Sequence, residues 1–424
     1  MITASRQRVG TLDDKAWPMP LTESLRDHLT RIEPDLVALR RDLHRIPEVG
    51  LRLPNTQRRL LDSLDGLPLE ITLGRGCTGI TAVLRGTAEP AASDERRVVL
   101  LRGDMDALPV AELTGLEFAS TNGAMHACGH DLHMSLLVGA VRTLCEHRDR
   151  LPGDVVFMFQ PGEEGFDGAS VMIEEGVLDA AGRRADEAYA IHVFSALEPH
   201  GHFCTKPGPI MAASDEIHVT VTGRGGHGSA PHLAADPVPA LAEMVLATQR
   251  VIGRRVDVFD PAVISVGRLQ AGSRSNVIPE SGEFEATLRT FSAEQQEHLF
   301  RVVPEAMAGI AASNGVSVEV DMRRQYPVTV NDPDRAEAVI DAVGDLFGAE
   351  RAITWTRPLT GSEDFSRVLA EVPGAFIALS AVPADADPVR APFNHSAYAV
   401  FDDDVIADGS LLLAELACRA LRVG

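Results

Sequence analysis

Apolar residues near the start of the chain recur every three or four places, at Leu25, Leu29, Ile32, Leu36, Leu39 and Leu43. That spacing predicts a helix over 21–46 with one buried face. The pattern then changes to short unbroken apolar bursts, each ending in residues able to do chemistry. Val98-Val99-Leu100-Leu101 runs into Arg102-Gly103-Asp104-Met105-Asp106. The burst 155–159 runs into Gln160-Pro161-Gly162-Glu163-Glu164, and 188–191 runs into His192. Continuous apolar runs suit strands buried on both faces, and the helical pattern over 134–147 between two of them suits helices packed on a largely parallel sheet. Polar residues would then gather at the C-terminal ends of the strands, where open α/β sheets place their sites.

The texture shifts near Met211. Ile217, Val219 and Val221 alternate with polar residues, as in a half-exposed strand. A helix is predicted over 236–252, with Pro237 tolerated in its first turn. Strands are predicted over 262–269 and 282–291. Ser292 and Gln295 form a capping-box signature ahead of a second helix, and 316–322 closes as a strand. This β-α-β-β-α-β order is the ferredoxin-like pattern. The expected organisation is therefore a loose tail (1–20), a catalytic α/β domain (21–210 and 326–424) and an inserted domain (211–325).

The chain has 424 residues, 45% of them apolar, enough for two cores. A formal net charge of −22 leaves no basic footprint for nucleic acid. No apolar run is long enough to span a bilayer, and 1–20 lacks the apolar stretch of a signal peptide. Five cysteines at irregular spacing argue against a disulfide scaffold, so a reducing, cytoplasmic setting is expected.

The densest chemical signal is Met125-His126-Ala127-Cys128-Gly129-His130-Asp131-Leu132-His133. Four soft or borderline ligands fall in eight residues, a set suited to Zn²⁺ and other late divalent ions. The plainer reading is a buried cysteine with incidental histidines. Glu163-Glu164 would place one acid on a metal and one as a general base, although solvated Glu-Glu pairs are common. Asp104 and Asp106 alternate, so that one could orient a ligand histidine through its free ring nitrogen. His192 and His395, each taken alone, read as structural. The glycine-rich run 223–232 carries His227 and suits a moving lid or an anion cradle. Asn276 and Arg289 are candidate polar contacts, and an Arg can grip a carboxylate bidentately.

In this order, the segments 43–48, 102–109, 125–133, 159–164, 223–232, 276–280, 362–365 and 394–396 resemble the amidohydrolase branch of the dinuclear-metal aminoacylase/carboxypeptidase family. The resemblance implies that Cys128, His130, Glu164, His192 and His395 hold two divalent ions, of which Zn, Mn, Co and Ni all remain possible. It implies Glu163 as general base of a metal-activated water and Asp106 as the acid orienting a ligand. It implies that His227, Asn276 and Arg289 bind substrate from the inserted domain, with His227 reaching a neighbouring subunit's site in a homodimer. The expected substrate is a small N-acyl amino acid, hippurate-like or a related conjugate, split to a carboxylic acid and an amino acid. A dipeptidase or carboxypeptidase using the same chemistry and a non-catalytic metal or amino-acid binder are the alternatives. One departure stands out: Gly162 replaces the alanine common in relatives, a change expected to loosen the catalytic turn.

Overall fold

The computed structural model describes residues 21–90 and 96–422; the expected tail, 1–20, lies outside them. The predicted bursts are strands, and they are buried throughout. Val98–Asp104, Asp154–Gln160, Glu187–Phe194 and Gly374–Ser380 contain no exposed residue. They form the centre of an eight-stranded sheet, in the order Leu69–Leu73, Ile80–Arg85, Asp154–Gln160, Val98–Asp104, Glu187–Phe194, Gly374–Ser380, Phe203–Thr205, Ala352–Thr354. The four central strands run parallel. Toward the edges, Ile80–Arg85 and Phe203–Thr205 join them antiparallel. Strands covered on both faces need apolar residues at every position, which is why these runs do not alternate.

Helices cover both faces. Leu21–His44, His130–Glu146 and Val405–Ala420 pack on one side in a large apolar core. Gly168–Glu174 and Ser366–Leu369 lie over the other. The first helix ends two residues before its predicted limit of 46, and His130–Glu146 begins four residues before its predicted start.

Ala213–Thr222, Ala262–Ala271, Ser281–Thr290 and Ser317–Tyr326 form a separate, wholly antiparallel sheet. Its spatial order places the first strand between the third and the fourth. The helices Pro237–Arg255 and Ala293–Asn314 share its core. In chain order this is β-α-β-β-α-β. Asp236 caps the first helix by accepting the Val238 N–H at 3.0 Å, with Pro237 in the first turn. Ser292 caps the second through the Gln295 N–H, also at 3.0 Å. A two-residue ladder, Gly226–His227 on Val277–Ile278, is an addition that the hydrophobic pattern did not foretell.

Candidate metal centre and substrate cavity

The strand ends converge as the α/β architecture requires. Gly129 has φ +83°, and a Cβ there would lie 2.4 Å from Val193 Cγ2. Glycine is therefore what lets Cys128 and His130 approach His192 across the sheet. Cys128 Sγ lies 3.4 Å from His192 Nε2 and 3.2 Å from His395 Nε2. Among the described residues two donor groups contain Cys128, namely Cys128/His130/His192 and Cys128/Glu164/His395; within each group the donor atoms lie within 4.8 Å of one another. Cys128 belongs to both. The first group is buried, and the second opens to the surface through His395, whose side chain is 55% exposed. His395 is a non-glycine residue at φ +73°, a costly conformation held in part by its N–H on the Ala127 carbonyl.

The donors suit cations. Both ring nitrogens of His130 are buried, and among the described residues neither has a hydrogen-bond partner. Its Nδ1 lies 3.7 Å from Asp106 Oδ1, and its Nε2 lies 3.6 Å from Asp104 Oδ2. His192 Nδ1 lies 2.9 Å from the Val193 carbonyl, which fixes the proton there and leaves Nε2 as a lone-pair donor. His395 is pushed up to about 10 by hydrogen bonds to Cys128 and Glu164. Burial opposes charge on His130, yet Asp104, Asp106 and Cys128 hold it well above the usual histidine range. Raised histidines among acids and a thiol mark an excess of anionic donors, the electrostatic condition that a bound cation relieves.

Glu163 is buried, and burial together with Glu363, Glu164 and Asp364 holds its carboxyl well above the usual range. Asp106 clamps the turn that carries it, accepting the Glu163 N–H at 2.9 Å and the Glu164 N–H at 3.1 Å. Its contact with that turn is closer than its contact with His130. Gly162 corrects an expectation. It sits at φ +78°, and a Cβ would lie 2.5 Å from Leu51 Cδ2, so an alanine would strain this turn rather than tighten it.

Several supporting residues were not singled out from the sequence. Arg102 is wholly buried and joins Gln160, Asp104, Glu363 and Asp364. A charged residue at the end of an unbroken apolar run was the available signal. His133 Nδ1 bonds to Asp104, and its Nε2 accepts the Val193 N–H at 2.7 Å. Its ring packs 4.7 Å from that of His192, so His133 buttresses the cluster. His126 points elsewhere, toward His44.

A cavity of about 730 Å³ opens over this cluster. Cys128, Glu163, Glu164, His192 and His395 form one part of its wall, and Arg289, Ser214 and Gln325 of the smaller sheet form another. Phe194, Leu197, Met211, Leu359 and Phe393 add apolar surface. Among the described residues no carboxylate pairs with Arg289; its Nη1 donates to Ser214 Oγ at 2.6 Å. His227 and Asn276 do not line the cavity. They stand in solvent, His227 on the two-residue ladder and Asn276 in the turn just before its second strand, where the Gly228 N–H donates to the Asn276 carbonyl. His227 Nδ1 accepts from Ser229, so its proton sits on the outward Nε2.

A family model described as peptidase family M20/M25/M40 matches residues 100–419. The chain belongs to this family. This M20-family chain is 35% identical to thermostable carboxypeptidase 1 of Saccharolobus solfataricus over 406 residues, covering 95% of this chain and 99% of the relative. It is 36% identical to the N-acetyldiaminopimelate deacetylase of a Geobacillus species over 340 residues, covering 80% and 87%. The crystal structure of the Bacillus subtilis YXEP protein, described as a dinuclear metal binding peptidase from the M20 family, superposes with a TM-score of 0.78 at 29% identity, covering 93% of this chain and 100% of that one. The protein is thus a metal-dependent hydrolase of the M20 type. Among its described residues no helix is long and apolar enough to cross a membrane.

Proposed function

We propose that this M20 hydrolase cleaves the amide bond of an N-acyl amino acid, with Glu163 as general base. The observation that carries the reading is one cavity that joins two donor groups, a buried acid and an Arg289 without a carboxylate partner. Cys128, His130 and His192 would hold one divalent ion, and Cys128, Glu164 and His395 the other. Bound there, the ions would polarise the amide carbonyl and acidify the attacking water.

Glu163 takes the proton of that water as the oxygen adds to the carbonyl carbon. Burial and the neighbouring Glu363, Glu164 and Asp364 hold its proton affinity high, so it keeps the proton and returns it to the nitrogen as the C–N bond breaks. Arg289 grips the free carboxylate with its guanidinium, a pairing that desolvation in the cavity strengthens. The outward Nε2–H of His227 serves the oxyanion in a second subunit's cavity. A homodimer is supported by the edge strand Ala262–Ala271, on which Val263 and Leu269 are exposed. The unit 211–325 then acts as both lid and dimer surface, with Asn276 beside His227.

A peptidase reading has one specific support, the carboxypeptidase similarity over nearly the whole chain. A peptide's C-terminal carboxylate would meet the same arginine. The test is amine release from hippurate, N-acetyl amino acids, indole-acetyl-alanine, N-acetyldiaminopimelate and dipeptides, using chelated enzyme reloaded with Zn²⁺, Mn²⁺, Co²⁺ or Ni²⁺. Metal-restored cleavage of an acyl class above the dipeptides supports the proposal, and the reverse ranking selects the peptidase. Glu163→Gln is expected to retain metal and lose turnover; an active variant removes Glu163 from its role.

A further inference from the structure

One side chain ties the turn carrying Glu163 to the smaller domain. Tyr326 is the last residue of the strand Ser317–Tyr326, where the chain leaves the four-stranded sheet. Its hydroxyl donates to the Glu163 carbonyl at 2.8 Å and accepts the Asp167 N–H at 3.2 Å. The two bonds grip the turn at both ends. Asp167 lies at φ +52°, so the turn adopts a conformation that its surroundings must hold.

The same strand exit also reaches the substrate end of the cavity. The ladder slips between Arg324 and Tyr326, leaving Tyr326 opposite Ser214 and Gln325 out of register. Ser214 Oγ donates to Gln325 Oε1 at 2.8 Å and accepts from Arg289 Nη1 at 2.6 Å. Arg367 closes the frame, its Nη2 donating to the Gln325 carbonyl at 2.6 Å and to Asp167 Oδ2 at 2.8 Å. Arg289 and the backbone of Glu163 are therefore the two ends of one hydrogen-bonded frame, built on two adjacent residues of the strand exit.

We propose that Tyr326 is a positioning residue that couples the seating of the inserted unit, and the grip of Arg289, to the placement of Glu163. The inference rests on Glu163 being the base. Any rotation of the inserted unit about its two connecting strands moves the phenol, and the phenol moves the peptide between Glu163 and Glu164. A misplacement on the ångström scale at a reacting group costs on the order of 10–100-fold in rate.

The test is Tyr326→Phe in the full-length, metal-loaded enzyme, with Glu163→Gln alongside, measured on the best substrate of the panel. The ring and its packing are kept, and one hydroxyl is removed. The expected result is full metal content, an unchanged KM, a Tm within a few degrees of the parent and a kcat lower by about tenfold or more. Lowered Tm with kcat intact would assign Tyr326 a structural role only and overturn the proposal. Loss of metal together with kcat would also overturn it, since the defect would then lie in the donor cluster. If Tyr326→Phe does not fold, Arg367→Lys decides. That side chain is one-third exposed and supports the same frame from outside, so a smaller fall in kcat at constant KM is expected, and no change overturns the proposal. Turnover by Glu163→Gln would sink the base assignment. An inactive Glu163→Gln beside an unaffected Tyr326→Phe would sink the coupling alone.

Discussion

Cys128, His130 and His192 sit in a buried cluster whose backbone is set by strand ends and a helix start, while His227 stands in solvent on a ladder two residues long with Asn276 in the turn beside it. In the cluster each residue is held by its neighbours: the His192 ring by the Val193 carbonyl and the His133 ring, the Glu163 backbone by Asp106 and Tyr326. In the exposed arm, the His227 side chain hydrogen-bonds to Ser229 of its own loop. Preorganised chemistry needs the first kind of construction, because donors that reorient late are weak catalysts. Groups that must arrive with closure, or from a second subunit, need the second. Arg289 lies between the two, on the small domain yet in the cavity wall.

The largest effect that would sharpen this contrast is one of stability. Asp131 lies behind the cluster, wholly buried, 2.8 Å from Arg40 and 2.7 Å from His44. Removing one partner of a buried pair leaves the other charge stranded, so Asp131→Asn is expected to destabilise by about 3 kcal/mol in denaturant unfolding. Burial alone would raise the Asp131 carboxyl, but Arg40 and His44 outweigh it and hold the group far below its ordinary range. A depressed folded value means that its stabilisation is complete above the unfolded value of about 3.9 and fades as pH falls below it. The gap between parent and variant should therefore narrow below about pH 4, and it should narrow again above neutral pH as His44, which despite burial Asp131 holds above the usual histidine range, loses its proton. A gap that widened in acid would contradict the assignment.

Next in size is His227→Ala, expected to lower kcat by about 10²-fold, the lower range for a lost oxyanion donor, with Tm unmoved because the residue is exposed. Co-expressing it with Glu163→Gln distinguishes the arrangements. Mixed dimers regain activity if His227 serves a partner's cavity and stay inactive if it serves its own. Smallest is Arg289→Lys, which keeps the charge and loses the planar fork. KM should rise about tenfold for substrates with a free carboxylate and remain unchanged for their amides. An equal rise for both would place the carboxylate elsewhere.

Much of this was legible along the chain. The helix 21–46, the bursts before Asp104, Gln160 and His192, and the order of elements between 213 and 326 follow from periodicity, since buried strands need continuous apolar residues and half-exposed ones alternate. Glu163 and Glu164 stood out because they fall at the end of such a run, and Cys128 and His130 because four soft or borderline ligands fall in eight residues. Arg102 carried only the signal of a charge at the end of an apolar run, and Tyr326 looks like an ordinary strand residue until its partners, some from distant segments, are known.

The sequence by itself determined the two kinds of sheet, the candidate donors and the acid pair beside them, because each is a local matter of residue type and spacing. Only the tertiary structure decided that Cys128 is common to both of those donor groups, that Gly162 takes a positive φ against Leu51, that Arg289 reaches the cavity and that His227 does not. Those facts depend on contacts between segments far apart in the chain. The closing of such contacts is governed by the packing of whole layers, and no local pattern records it.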